Sequence, residues 1–115
     1  MDLDLIKEQL ARFSKERDWE QFHSPKNLVM ALSVEVAELT EIFQWSNDGG
    51  ITEIKDPDLR KKIEGEIADV FNYLIKLTDI LNMDLEKAAL KKIQENAKKY
   101  PIDKSRGKST KYSDL

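Results

Sequence analysis

Glu35-Val-Ala-Glu38 and Glu66-Ile-Ala-Asp69 each place two carboxylates three residues apart, a spacing that sets both on one face of a helix. Both pairs interrupt runs that are otherwise nearly apolar. Glu35 stands between Val34 and Val36, and Asp69 between Ala68 and Val70. An ionised carboxylate held away from water is costly unless an opposite charge neutralises it. Few such charges lie nearby. No Lys or Arg occurs between residues 28 and 45, and Lys76 is the only one between 63 and 84. Four oxygen ligands with so little local cation suit a hard divalent ion, Mg2+ before others, with Mn2+ as a substitute. Solvated charge is the usual fate of Asp and Glu; the apolar neighbours argue against it here. A di-iron carboxylate centre needs Glu-x-x-His on two helices. With His23 as its one histidine, the chain cannot supply it.

Helices must hold these acids, and the pattern predicts four of them followed by a tail. Leu3, Ile6, Leu10 and Phe13 recur at helical spacing, so residues 3 to about 17 form an amphipathic helix. Ser24-Pro25 reads as an N-cap with a first-turn proline, opening a second helix that runs to about Trp45. Asn47-Asp-Gly-Gly50 breaks it. Asp56-Pro57 opens a third helix reaching about Asn82, and Asp84 caps a fourth that stops before Tyr100-Pro101. No strand-like alternation and no internal repeat is visible. The expected class is therefore all-α, a four-helix bundle, with a catalytic helical domain over 1–101. Residues 102–115, rich in Lys, Ser and Thr, form a flexible or strapped-on tail.

The second and third helices are apolar around most of their circumference. Leu28, Leu32, Val36, Leu39 and Phe43 make one stripe, and Ile63, Ile67, Val70, Leu74, Leu77 and Leu81 another, each flanked by further apolar positions. A helix apolar nearly all round is covered on more than one side. A chain of 115 residues can hardly cover two such helices unaided. A homo-oligomer is expected, dimer or tetramer.

Composition narrows the class. A net charge of −3 argues against binding a nucleic-acid polymer. There is no cysteine, hence no disulfide framework and no thiolate metal site. No run of about 18 apolar residues is present, so no membrane span is expected. The start, Met1-Asp-Leu-Asp-Leu-Ile-Lys, lacks the basic stretch and apolar core of a secretory leader. Together these lead to the expectation of a cytoplasmic protein. The Lys104-Ser-Arg-Gly-Lys-Ser-Thr stretch resembles a phosphate loop only superficially, having one glycine and no preceding strand.

Other residues could hold an organic ligand. Trp19, Phe22, Trp45 and Tyr73 offer flat faces on which a base can stack, although aromatic residues more often serve as core. His23 alone reads as a structural residue beside a helix start. Lys92, Asn96 and Tyr100 fall at i, i+4 and i+8 on one face of the fourth helix, where a cation and an amide could hold phosphate, sugar or base edges. Solvated basic surface is the plainer reading, since Lys87, Lys91, Lys98 and Lys99 share that helix.

Four segments in order carry a resemblance. These are Phe22-His-x-Pro25-x-Asn27-Leu, Glu35-x-x-Glu38 with Phe43-Gln-Trp45, Glu66-x-x-Asp69-Val-x-x-Tyr73-Leu, and Asn96-x-x-x-Tyr100-Pro101. Over residues 8 to 101 the chain resembles the MazG-like nucleotide pyrophosphohydrolases, and within them the dCTP pyrophosphatase-like branch. The resemblance implies an all-α fold and Mg2+-dependent hydrolysis of a nucleoside triphosphate to monophosphate and pyrophosphate. It implies Glu35, Glu38, Glu66 and Asp69 as metal ligands, with Glu38 doubling as the base. It implies Trp19, Trp45 and Tyr73 at the nucleotide, His23 at the pocket edge, and roles for Asn96 and Tyr100. The substrate is expected to be dCTP or a modified dCTP, and the role nucleotide-pool cleansing, although the residues alone leave base and sugar open. The alternatives are a dUTP or phosphoribosyl-ATP type of pyrophosphohydrolase, or a non-catalytic helical oligomer that binds a nucleotide or partner protein. The four acids on apolar helices favour the enzyme.

Overall fold

The computed structural model describes residues 1–115, all of them in helices, turns or connecting segments and none in a strand. The chain forms two compact units, 1–82 and 83–115. The division falls one helix earlier than the composition break at residue 101.

The first unit holds α1 (Leu3–Glu16), a 3-10 turn (Glu20–Phe22), α2 (Pro25–Phe43), α3 (Ile51–Lys55) and α4 (Pro57–Ile80). Each long helix begins where its cap dictates. Asp2 accepts a hydrogen bond from the Leu5 amide at 3.0 Å. Ser24 Oγ accepts one from the Asn27 amide at 3.2 Å, just before Pro25. Asp56 accepts from the amides of Asp58 and Leu59, both at 3.0 Å, before Pro57. Such side chains satisfy amides that have no partner within the helix.

The end of α1 is as specific as its start. Asp18 adopts a left-handed φ of 54°. The Trp19 amide reaches back to the Ser14 carbonyl at 2.9 Å and the Asp18 amide to Lys15 at 3.1 Å. This is the pattern that usually calls for glycine after a helix, here adopted by an aspartate. Gln21 Nε2 donates to the Asp18 carbonyl at 3.0 Å, and Asn27 Nδ2 donates to the Phe22 carbonyl at 2.8 Å. The connection carrying Trp19 and His23 is thus tied at both ends.

The link from α2 to α4 departs from the sequence expectation. Asn47 to Gly50 does break α2, but a short helix, α3, follows where only a loop was expected. Gly50 adopts φ 94°, and a Cβ there would lie 2.9 Å from the Phe43 ring. Asp48 accepts from the Thr52 amide at 3.1 Å and from the Thr52 hydroxyl. Ser46 Oγ accepts from the Gly50 amide at 2.7 Å. Five residues were too few for periodicity to register, yet these caps suffice to wind one turn.

Packing centres on α4. It meets α2 most extensively, and α1 and α3 also pack on it. Leu28, Ile63 and Ile75 are the buried apolar residues, Ile75 with no exposure at all. The broad stripes expected to be core are only partly covered by this chain. Val36, Ile67 and Leu81 are exposed, and so are Val29, Met30 and Val34 on α2.

The second unit holds α5 (Leu85–Lys99), α6 (Ile102–Ser105) and a 3-10 turn (Tyr112–Asp114). Asp84 caps α5 by accepting from the Lys87 amide at 3.0 Å. The segment expected to be a flexible or strapped-on tail carries two helical turns. It is anchored in part by the edge-to-face pair of Tyr100 and Tyr112, with Lys99 Nζ 4.8 Å from the Tyr112 ring centre. No helix is long and apolar enough to cross a membrane.

Candidate active site

Helices α2 and α4 bring the acidic pairs together as their spacing requires. One carboxylate oxygen each from Glu35, Glu38 and Glu66 lies within 4.8 Å of the others. Glu38 is exposed, while Glu35 and Glu66 are half-buried. Asp69 stands outside this close triple. It lines the same cavity as Glu35, and its charge acts on both Glu35 and Glu66.

Two oxygens of the triple are anomalous. Glu35 Oε2 and Glu66 Oε2 are buried and have no hydrogen-bond partner. Buried polar atoms almost always find a partner. Two unpartnered carboxylate oxygens beside a third acid are a donor set that a divalent cation would satisfy. The residues present therefore fit a divalent cation.

The electrostatics record the same crowding. Glu35 is pushed up to about 7, first by its removal from water, then by the neighbouring carboxyl of Glu38 and the charges of Asp69 and Glu66. Glu66 is also raised, by desolvation and then by Glu38 and Asp69. The consequence for stability has a definite sign. Glu35 in the unfolded chain titrates near 4.5. Between about pH 4.5 and 7 the folded chain keeps a proton that the unfolded chain releases. That stabilisation is full below the unfolded value and is lost as pH rises through 7. Asp48, held low mainly by the Thr52 hydroxyl and amide, acts in the opposite sense only near and below its ordinary 3.8. His23, held below its ordinary 6.5, acts in the opposite sense as pH falls below that value, so the test compares wild type with Glu35→Gln. In chelator, wild type is expected to lose melting temperature relative to Glu35→Gln between pH 5 and 7.5, and added Mg2+ at pH 7.5 to restore it. A difference that is flat or moves in favour of wild type over that range contradicts this origin of the shift.

Two of the acids, Glu35 and Asp69, border a cavity of about 580 Å3 that Phe13, Trp19, His23 and Tyr73 also line. That volume lies within the range of about 300–1,000 Å3 usual for small-molecule sites. Trp19 packs edge-on against Phe13 with ring centres 5.6 Å apart, so α1 supports one aromatic wall. His23 Nδ1 is buried without a partner, and the ring is held below its ordinary pKa by desolvation and by the nearby charge of Lys76. Glu20 precedes it by three residues, but on a 3-10 turn and without the second histidine that a di-iron site needs.

The remaining residues singled out in the sequence fall elsewhere. Trp45 is 84% exposed and is not part of the cavity lining. Lys92, Asn96 and Tyr100 lie on α5 and its end, in the second unit. There Lys92 Nζ approaches Glu95 at 3.7 Å, and the Asn96 carbonyl accepts from the Tyr100 amide at 2.9 Å. Four polar lining residues carry no site role in the sequence analysis: Gln9, Ser14, Asn72 and Lys76. For Lys76 a signal was present: Asp69, Tyr73 and Lys76 follow one another at helical spacing, and Lys76 is the one cation on that stretch.

The MazG-like family model matches residues 30–115, three quarters of the chain and both acidic pairs. The chain belongs to the MazG-like family. Among curated proteins, this MazG-like chain is similar to dCTP pyrophosphatase 1 of Rattus norvegicus and of Homo sapiens. Each is 42% identical over 114 residues, which is 98% of this chain and 67% of the relative's length. Among solved structures it is similar to a pyrophosphatase from Archaeoglobus fulgidus DSM 4304. That match has 40% identity and a TM-score of 0.75, and covers 82% of this chain and 87% of the other. The all-α class and the MazG-like, dCTP pyrophosphatase-like resemblance read from the four segments are borne out by these matches.

Proposed function

We propose that this MazG-like protein is a nucleoside triphosphate pyrophosphohydrolase dependent on a divalent cation, Mg2+ first, that releases monophosphate and pyrophosphate. The observation that carries this reading is the carboxylate triple with its two unpartnered buried oxygens, one member of which, Glu35, lines an aromatic-walled cavity together with Asp69. Homologues named dCTP pyrophosphatase 1 support the reaction class and make dCTP or a modified dCTP the first substrate to try.

An acidic cavity by itself repels a triphosphate. When bound by Glu35, Glu38, Glu66 and Asp69, a divalent ion supplies positive charge and Lewis acidity at the α-phosphorus. The chain's own residues do the rest. Glu35 and Glu66 fix the cation-binding end through their buried oxygens. Glu38, the exposed member, is proposed to accept a proton from water. Trp19 and Tyr73 hold the base by stacking, as flat side chains do for any base, and His23 borders them. Trp45 is proposed as a further substrate contact. There is no cysteine, and the one histidine, His23, has no evident Ser-Asp partners, so direct attack by water is favoured over a covalent intermediate.

The exposed apolar residues of α2 and α4 support a homodimer or homotetramer. A cytoplasmic location fits a nucleotide substrate and the absence of cysteine. Incubation with a panel of nucleoside triphosphates, with and without Mg2+, tests the reading. Equimolar monophosphate and pyrophosphate are expected only with the metal; orthophosphate as the first product contradicts it.

A further inference from the structure

The aromatic wall that α1 supports is not held by burial. Phe13 and Trp19 both line the cavity, yet they are 45% and 43% exposed. Rings so exposed are not locked by the close packing that fixes core side chains. Specific contacts must hold them, and Arg17 supplies those of Phe13.

Arg17 is the C-cap of α1 and stands four residues after Phe13. Positions i and i+4 share a helix face, and side chains lean toward the helix N-terminus. The guanidinium therefore folds back over Phe13. Its central carbon lies 3.7 Å from the ring centre, and Nη1 donates to the Phe13 carbonyl at 3.1 Å. One planar cation thus grips both the ring and the backbone of the same residue, a geometry that the compact ammonium of lysine reproduces only in part. The alternative partner, Glu16, is 3.8 Å away and exposed; such surface pairs contribute little. Phe13 in turn meets Trp19 edge-on, with ring centres 5.6 Å apart and planes at 74°, a favoured aromatic arrangement. The Trp19 backbone is tied by its amide to the Ser14 carbonyl at 2.9 Å, which leaves the stance of its ring to Phe13. Arg17 itself does not line the cavity.

We propose that Arg17 is a positioning residue of the substrate site: stacked on Phe13, it holds that ring edge-on to Trp19 and so sets the face on which the base stacks. It acts through Phe13 and Trp19 without touching the substrate. Base stacking belongs to binding, so its effect falls on KM and not on the chemical step. This inference rests on the nucleotide reading of the cavity.

The test compares wild type with Arg17→Met and Arg17→Lys, each also in a Phe13→Leu background. Three quantities are measured: steady-state rates on dCTP with Mg2+, NMR-detected binding of deoxycytidine, which needs neither metal nor phosphate, and the indole N–H signal of Trp19, assigned by its loss in Trp19→Phe. Arg17→Met is expected to raise KM about three- to tenfold with kcat within about twofold, the size of a cation–π contact passed on to base stacking. Deoxycytidine binding should weaken by the same factor, and the Trp19 indole signal should move even without ligand. Arg17→Lys, which keeps the charge, should recover part of each. In the Phe13→Leu background Arg17→Met should add nothing, because the two residues act along one path. A further loss in that background would mean that Arg17 meets the substrate itself, and overturns the assignment. A lower melting temperature with KM, nucleoside binding and indole signal all unchanged overturns it as well, since a support of the helix end alone would give that result. A wild type that hydrolyses no triphosphate and binds no nucleoside would instead sink the nucleotide reading, and the indole signal would still decide whether Arg17 orients Trp19.

Discussion

Glu38→Gln and Asp69→Asn are each expected to lower kcat by at least about a hundredfold while the helices persist, since groups that stabilise transition-state charge carry effects of that size. The stability readout makes the prediction specific. Three carboxylate oxygens within 4.8 Å repel one another when no cation lies between them. Glu35, pushed up to about 7, registers that repulsion together with its desolvation. Removing one charge relieves it, so in chelator the variants should melt no lower than wild type. With Mg2+ the order should reverse, because only wild type gains the full binding energy of the ion. Calorimetry with and without Mg2+, beside steady-state rates, checks both halves. Near-normal Mg2+-dependent turnover in either variant contradicts the site.

A comparably large effect is expected from two exposed apolar residues on the helix that carries the first acidic pair. Met30 and Val34 lie one turn apart on α2 and are 56% and 55% exposed. If another copy covers this face, the double variant Met30→Glu/Val34→Glu places two charges in an apolar interface. Each apolar side chain so exposed costs about 1.5–3 kcal/mol, against roughly 5–15 kcal/mol for a whole domain. The variant should run as a 13.3 kDa monomer in light scattering, melt several degrees lower and lose activity. Unchanged mass and a melting temperature within about a degree of wild type would show the face to be ordinary surface, where substitutions usually matter little.

The helices were legible in the sequence because their ends are written in side chains. Ser24-Pro25, Asp56-Pro57 and Asp84 stand where the structure caps α2, α4 and α5. The short α3 was not legible, because five residues carry no period and its start depends on a glycine φ of 94° packed against Phe43. The same distinction holds in the site. Glu35, Glu38 and Glu66 could be grouped from spacing and apolar neighbours alone. That α1 supplies an aromatic wall through Phe13, or that Trp45 points into solvent, depends on packing that no local pattern encodes. Lys76 was visible only as the one cation on an acidic stretch; its burial was not. The apolar stripes of α2 and α4 were read correctly as apolar, but this chain alone covers only Leu28 and Ile63 of them fully.

The central claim is that water attacks the α-phosphorus of a nucleoside triphosphate at the carboxylate triple. Hydrolysis in water enriched in the heavy oxygen isotope, with the products resolved by mass, addresses it most directly. The label should appear in the monophosphate, and pyrophosphate should leave unlabelled. Label in orthophosphate or in pyrophosphate would place the attack on another phosphorus and contradict the assignment.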